Sequence, residues 1–191
     1  MKFRAVLAGF AALALAGCGL NSVPTAEENA KAKWADVQNA YQRRADLIPN
    51  LVATVRGAGA QEKDILVQVT QARASASQVQ VSPEQLSDPA QVQRFQQAQA
   101  GLTMSLQRLQ EAYPELRSQG NYSTLMSQLE GTENRITIAR RDYNEAVQAY
   151  NTRIRTFPDA IGARVFYGAK PMTPFAAQAG SEVAPKVDFG T

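Results

Sequence analysis

The chain has 191 residues, 45% of them hydrophobic and 19% charged, with a formal net charge of +3, one Cys and no His. That length holds one domain with a sizeable core, and the near-balanced charge offers no electrostatic drive onto nucleic acid. Without His there is no His-assisted Ser or Cys nucleophile, no usual zinc site and no Glu-x-x-His di-iron set, and one Cys makes neither an internal disulfide nor a CxxC redox pair.

Lys2 and Arg4 precede an apolar run over residues 5–15. The run is too short for a bilayer core, which needs about 20 residues, but it suits the hydrophobic part of an export signal. It ends in Leu15-Ala16-Gly17-Cys18, which resembles the lipobox of bacterial lipoproteins. By that resemblance residues 1–17 are a lipoprotein signal peptide, removed after Gly17, and Cys18 carries the lipid, palmitate among its acyl chains. An ordinary secretory signal, or an uncleaved anchor with a chance Cys, is the alternative. Two acyl chains bring on the order of 30 methylenes at roughly 0.8 kcal/mol each, an effectively permanent anchor. Gly19 after the Cys mildly favours outer-membrane sorting in a Gram-negative cell, again by resemblance. The helical domain would then face the periplasm or the cell exterior.

Residues 18–24 read as a tether. Over residues 25–157 the apolar residues recur at helical spacing, with no useful strand-like alternation. Helix 1 is expected to start near Thr25, a plausible N-cap with Glu28 three residues on. Its stripe is Trp34, Val37, Tyr41, Ile48, Leu51 and Val55, and Gly57 and Gly59 end it. The stripe keeps its phase across Pro49, which favours a kink over a break. Helix 2 carries Ile65, Leu66, Val69, Ala72, Ala76 and Val79 and fades near Val81, before a loop in which Ser82 or Ser87 could cap. Helix 3 follows with Val92, Phe95, Leu102, Leu106, Leu109, Tyr113 and Leu116, Gln99 being its one polar member and Pro114 disturbing its last turn. Gly120-Asn121 reads as a turn.

Helix 4 has the clearest pattern, with Tyr122, Leu129, Ile136, Tyr143, Tyr150 and Phe157 spaced seven apart and Pro158 closing it. Repeats of seven mean knobs-into-holes packing. Short connections then give an all-α, antiparallel four-helix bundle, up-down-up-down, with long helices 1 and 4. Residues 158–191 lack periodicity and read as an irregular C-terminal tail, from which Phe166, Tyr167 and Phe175 dock on the bundle.

Polar residues interrupt the stripes. The turns at 57–60 and 118–121 would form the distal tip, away from the lipid at Cys18. Arg44 on helix 1 and Glu133 on helix 4 each fall about 20 Å below it, which predicts a partly buried ion pair with Arg73 of helix 2 near enough to join. Arg140, about 30 Å down, is level with Gln99 and is expected to bond there. A pair of this sort offsets its Coulomb gain by desolvation and fixes helix register. The sharper alternative is a ligand or catalytic site around these charges, although no second acid lies on the stripe at that level and one carboxylate between two Arg suits an ion pair better than a general base. The tyrosine track reads as core. The Gln-, Ser- and Ala-rich faces of helices 2 and 3 read as solvated, with helix-on-helix association the alternative.

Residues 43–52 (RRADLIPNLV) and 130–151 (EGTENRITIARRDYNEAVQAYN), together with YPEL at 113–116, FP at 157–158 and VDF at 187–189, resemble the LemA family of bacterial envelope proteins over about residues 28–189. The resemblance implies a long-helix antiparallel bundle outside the cytoplasm, and it supplies no catalytic residue to carry over. Many members keep an uncleaved membrane helix where this chain has a lipobox.

The leading expectation is therefore a non-enzymatic envelope lipoprotein. It needs no cofactor or metal, is tied to a membrane by its lipid, and presents a helical scaffold to an envelope protein partner. A small-ligand binder or enzyme using Arg44, Glu133 and Arg140, and a structural homo-oligomer, are the competing expectations.

Overall fold

The computed structural model describes residues 21–59 and 63–176. The signal segment, Cys18 and the last fifteen residues lie outside the described part. The described residues form α1 (Ser22–Gly57), α2 (Lys63–Gln78), α3 (Pro89–Ala112), α4 (Gly120–Arg153) and the short α5 (Asp159–Val165), with 3-10 turns at Pro83–Ser87 and Pro114–Ser118. No strand occurs among them, and the all-α antiparallel bundle stands. No helix among them is long and apolar enough to cross a membrane.

The heptad stripes become the core. On α1 the six expected apolar positions are buried, and on α4 so are Tyr122, Leu129, Ile136, Tyr143 and Tyr150. These two helices, of 36 and 34 residues, span roughly 50 Å each and pack along each other as the spine, while α2 packs along α3. At 16 residues, α2 covers only about 24 Å, so it supports the distal half alone.

Several boundaries differ from those the periodicity suggests. α1 begins at Ser22, and Val23 is fully buried, so the tether loses its last three residues. Pro24 is no obstacle there, because first-turn amides have no helical acceptor to lose. Thr25 does not cap; its hydroxyl donates to the Asn21 carbonyl. α1 passes unbroken through Pro49, and Gly59, at φ +85°, turns the chain after Gly57. α3 starts on Asp88, whose carboxylate accepts from the Ala90 amide at 2.9 Å. Gly120 and Asn121 form the first turn of α4, because the turn itself is taken by the 3-10 segment that starts at Pro114. α4 stops at Arg153, five residues short of Pro158, and Phe157 is 83% exposed.

The tail is more ordered than its sequence pattern suggests. After α5 an extended strap, residues 169–176, lies along α4 and buries Met172 and Phe175. Of the three aromatic residues expected to dock, Phe175 is buried, whereas Phe166 and Tyr167 are 67% and 43% exposed. The Phe175 ring joins Trp34, Phe95 and Tyr143, with centroid separations of 5.5 to 6.5 Å. The strap and the loop before α3 fill the space that α2 is too short to reach, and the two are joined where the Thr173 amide donates to the Leu86 carbonyl at 2.8 Å.

Candidate functional site: a polar layer beneath an open groove

The apolar core divides into two clusters. The proximal one contains Trp34, Tyr41, Phe95, Ile136 and Tyr143; the distal one contains Ile48, Leu102 and Leu129. Between them each stripe places one polar residue: Arg44 between Tyr41 and Ile48, Gln99 between Phe95 and Leu102, and Glu133 between Leu129 and Ile136. All three meet, although counting residues down from the turns places Gln99 with Arg140, about 10 Å lower than Arg44 and Glu133.

Arg44 organises the layer. Its side chain is 2% exposed, and its guanidinium lies 5.1 Å from the Tyr41 ring centroid. Nη1 donates to Glu133 Oε2 at 3.0 Å and Thr103 Oγ1 at 2.9 Å; Nη2 donates to Gln99 Oε1 at 2.9 Å and to the Gln99 carbonyl at 3.2 Å. The pairing with Glu133 is therefore lopsided, because the Glu133 side chain is 51% exposed and solvent screens it. Gln99 in turn donates from Nε2 to the Ala76 carbonyl at 3.2 Å. That carbonyl belongs to the last turn of α2, where no amide further along the helix is available to it. One glutamine thus links the buried cation to a helix terminus.

Arg73, level with the cluster, and Arg140, which lines the groove, take other partners. Arg73 Nε donates to the Ala45 carbonyl at 2.8 Å. Pro49 has no amide to give that carbonyl, so α2 supplies the donor that α1 lacks. Arg140 lies 4.8 Å from the Phe175 ring centroid and donates from Nη2 to the Ala176 carbonyl at 3.3 Å. It holds the strap and does not reach Gln99. The cluster therefore contains Arg44, Gln99, Glu133 and the hydroxyl of Thr103, which sequence reasoning missed.

Above the layer α3 and α4 stand apart and leave a groove of about 1000 Å³. Arg44 and Tyr41 form its floor. One wall is the α3 face bearing Gln93, Gln96, Gln97, Ala100, Met104 and Gln107; Glu133 and Arg140 stand on the other, and Thr173, Pro174 and Ala176 of the strap line its proximal part. Burial holds the Tyr41 phenol above its usual ionisation range, with Arg140 and Arg44 partly opposing, so the floor is neutral at that residue. Among the described residues no group of three or more His, Cys, Asp or Glu side chains could hold a metal ion.

The strap reveals a second device. Asn144 donates to the Phe175 carbonyl at 3.1 Å and accepts from the Phe175 amide at 2.8 Å. Asn151, seven residues on, does the same for Met172 at 2.8 and 2.9 Å. Each carboxamide copies the pairing an adjacent β-strand would offer. The Tyr143 and Tyr150 hydroxyls donate to the Thr173 and Lys170 carbonyls, and burial raises both phenol pKa values. The signal for this clamp in the sequence is two Asn seven apart, each directly after a core Tyr or its heptad mate.

Two comparisons bear on the chain. The model of the LemA family matches residues 33–189. The chain is also similar to the magnetosome proteins MamQ 1 and MamQ 2 of Paramagnetospirillum magneticum, at 27% identity over 157 residues in each case, covering 72% of this chain. It spans 58% of the length of each of those relatives.

Proposed function

The chain belongs to the LemA family, and we propose that it is a non-enzymatic helical scaffold of the cell envelope, tethered by lipid on Cys18, whose α3–α4 groove receives a segment of a protein partner. The observation that carries this reading is the pairing of an open groove with a floor whose cation spends both terminal nitrogens on internal partners, only its Nε being left without one. Arg44, the one deeply buried charge described, is committed to Thr103, Gln99 and Glu133, which suits a role in fixing helix register. The groove above it is walled by glutamine amides that can both donate to and accept from a peptide backbone. The competing reading, a small-ligand or catalytic site on Arg44, Glu133 and Arg140, keeps all three residues on the groove; against it, Arg140 is engaged by the Phe175 ring and the Ala176 carbonyl.

The anchor and its location rest on the Leu15-Ala16-Gly17-Cys18 motif; Gly19 mildly favours outer-membrane sorting if the cell is Gram-negative. Mass analysis of the mature chain checks the anchor directly, with acyl groups on Cys18 expected and an unmodified or uncleaved chain refuting it. A photoreactive residue in place of Gln97, on the groove wall, is expected to yield one protein adduct of defined mass in intact membranes. Ala100→Trp, which fills the groove, should abolish that adduct. Absence of any adduct at Gln97, or persistence with Ala100→Trp, overturns the groove reading. A small molecule co-purifying with the chain and lost with Arg44→Met would favour the ligand-binding alternative instead.

A further inference from the structure

The end of the bundle that carries α5 concentrates the large exposed hydrophobic side chains of the described residues. Of the eight large hydrophobic residues exposed among the described residues, five lie within 157–167: Phe157, Ile161, Val165, Phe166 and Tyr167. Val165 and Phe166 are 68% and 67% exposed. Ile161 and Val165 are spaced four apart on α5 and share one outward face, while Gly162 and Ala163 on the opposite face are buried; Phe157, just before the helix, is 83% exposed. α5 thus uses small residues to seat itself and keeps large ones outside. A concentration of this kind marks a site of association.

The surrounding charge indicates what the patch meets. Residues 153–170 contain Arg153, Arg155, Arg164 and Lys170 against the single acid Asp159, which pairs with Arg153 at 3.5 Å. Arg155 and Arg164 both line a cavity of about 550 Å³ whose other walls include Ile154, Ala160 and Pro171. The nearby acids at the start of α1, Glu27 and Glu28, are both paired with Lys31. Exposed aromatic and aliphatic side chains beside Arg155, Arg164 and Lys170, none of them in an ion pair among the described residues, match the boundary between phospholipid headgroups and acyl chains.

Position adds a third argument. α5 packs on α1, and Ala163 shares a core cluster with Val23 at the start of that helix. Cys18 is four residues before Ser22, within about 14 Å even for extended chain. We infer that this end of the bundle is a membrane-docking face: Phe157, Ile161, Val165, Phe166 and Tyr167 enter the surface of a bilayer containing anionic phospholipid, and Arg155 and Arg164 take headgroup phosphates. The inference deepens the tethered-scaffold reading by making the tether's own end a second contact, which sets the long axis of the bundle relative to the bilayer.

The test uses the full chain in vesicles of phosphatidylglycerol and phosphatidylcholine, with a photoreactive phenylalanine analogue in place of Phe157 or Phe166. Both positions should give lipid adducts. The same analogue in place of Ile138, exposed but about 22 Å along α4 from Arg153, should give about tenfold less, because the interfacial layer is only about 5–10 Å deep. Arg155→Gln and Arg164→Gln should each lower the adduct yield about fivefold in these vesicles and leave it unchanged in phosphatidylcholine alone. Equal yields at positions 157, 166 and 138, no lipid adduct at 157 and 166, or adducts to a protein in place of lipid would each overturn the docking face. Acylation is read separately from the intact mass. A chain without acyl groups that still gives adducts at 157 and 166 would sink the anchor and keep the face; an acylated chain without such adducts would do the reverse.

Discussion

Replacing Arg73 by Met should destabilise the protein chiefly through a carbonyl on another helix. Pro49 leaves the Ala45 carbonyl without its helical donor, and Arg73 Nε supplies the missing bond at 2.8 Å. Ala45 is buried, so water does not easily replace the guanidinium. Leaving a buried acceptor unpaired costs about 1–3 kcal/mol, and a chain of this size loses about 2–4 °C in Tm per kcal/mol. Thermal unfolding followed by circular dichroism should therefore fall by about 2–12 °C for Arg73→Met. In a Pro49→Ala background the new amide can donate to Ala45 along the helix, and the same substitution should then cost only the packing of the Arg stem, about 0.5 kcal/mol. The double-mutant cycle should show a coupling of at least about 1 kcal/mol. Equal costs in the two backgrounds would refute the idea that α2 repairs the defect in α1.

Other perturbations follow from the same geometry. Arg44→Met strands the Gln99 side-chain oxygen and should cost roughly 2–4 kcal/mol, whereas Glu133→Gln, at the exposed end of the pair, should cost about 0.5 kcal/mol; urea unfolding that ranks the two in the opposite order would show that the ion pair and not the cation holds the layer. Burial raises the ionisation of Tyr143 above its ordinary range, so the unfolded chain loses its phenolic proton first. Stability is then complete below about pH 10 and falls as pH rises beyond it, by up to about 1.4 kcal/mol per pH unit for this residue. Tyr143→Phe should flatten that alkaline slope, as measured by urea titrations at several pH values. Asn144→Leu with Asn151→Leu removes the clamp on the strap and should alter Trp34 fluorescence, since the Phe175 ring stacks on Trp34 at 5.7 Å; an unchanged emission spectrum would mean that ring packing alone keeps the strap in place.

The four long stripes were readable because each apolar residue in a bundle must face the axis, and that demand writes itself as a period. Arg44 and Glu133 were readable for the same reason, as interruptions at one level of two stripes. Level is not direction, however. Arg73 and Arg140 have the right height, yet one turns to a carbonyl left without its donor by Pro49 and the other to the face of an aromatic ring. Neither preference has a period. Phe157 continues the count of seven past Arg153, where the helix has already ended, so its phase carries no information. The strap has no pattern of its own to show, because its order comes from Asn144 and Asn151 on α4. The groove was hidden for a simpler reason: it is a place where α3 and α4 fail to meet, and a missing contact leaves no mark on either stripe.

The shortness of α2 has a consequence for how the molecule is assembled. Over the proximal half, the fourth wall is supplied by residues 169–176, and Phe175 completes an aromatic cage begun by Trp34 more than a hundred positions earlier. The two halves therefore differ in when they can close: the distal cluster has all its parts once Leu129 and its neighbours have been made, while the other waits for nearly the whole polypeptide. A fragment cut before Met172 would keep a finished cap on an unfinished base, and the open side would be the one nearest Ser22.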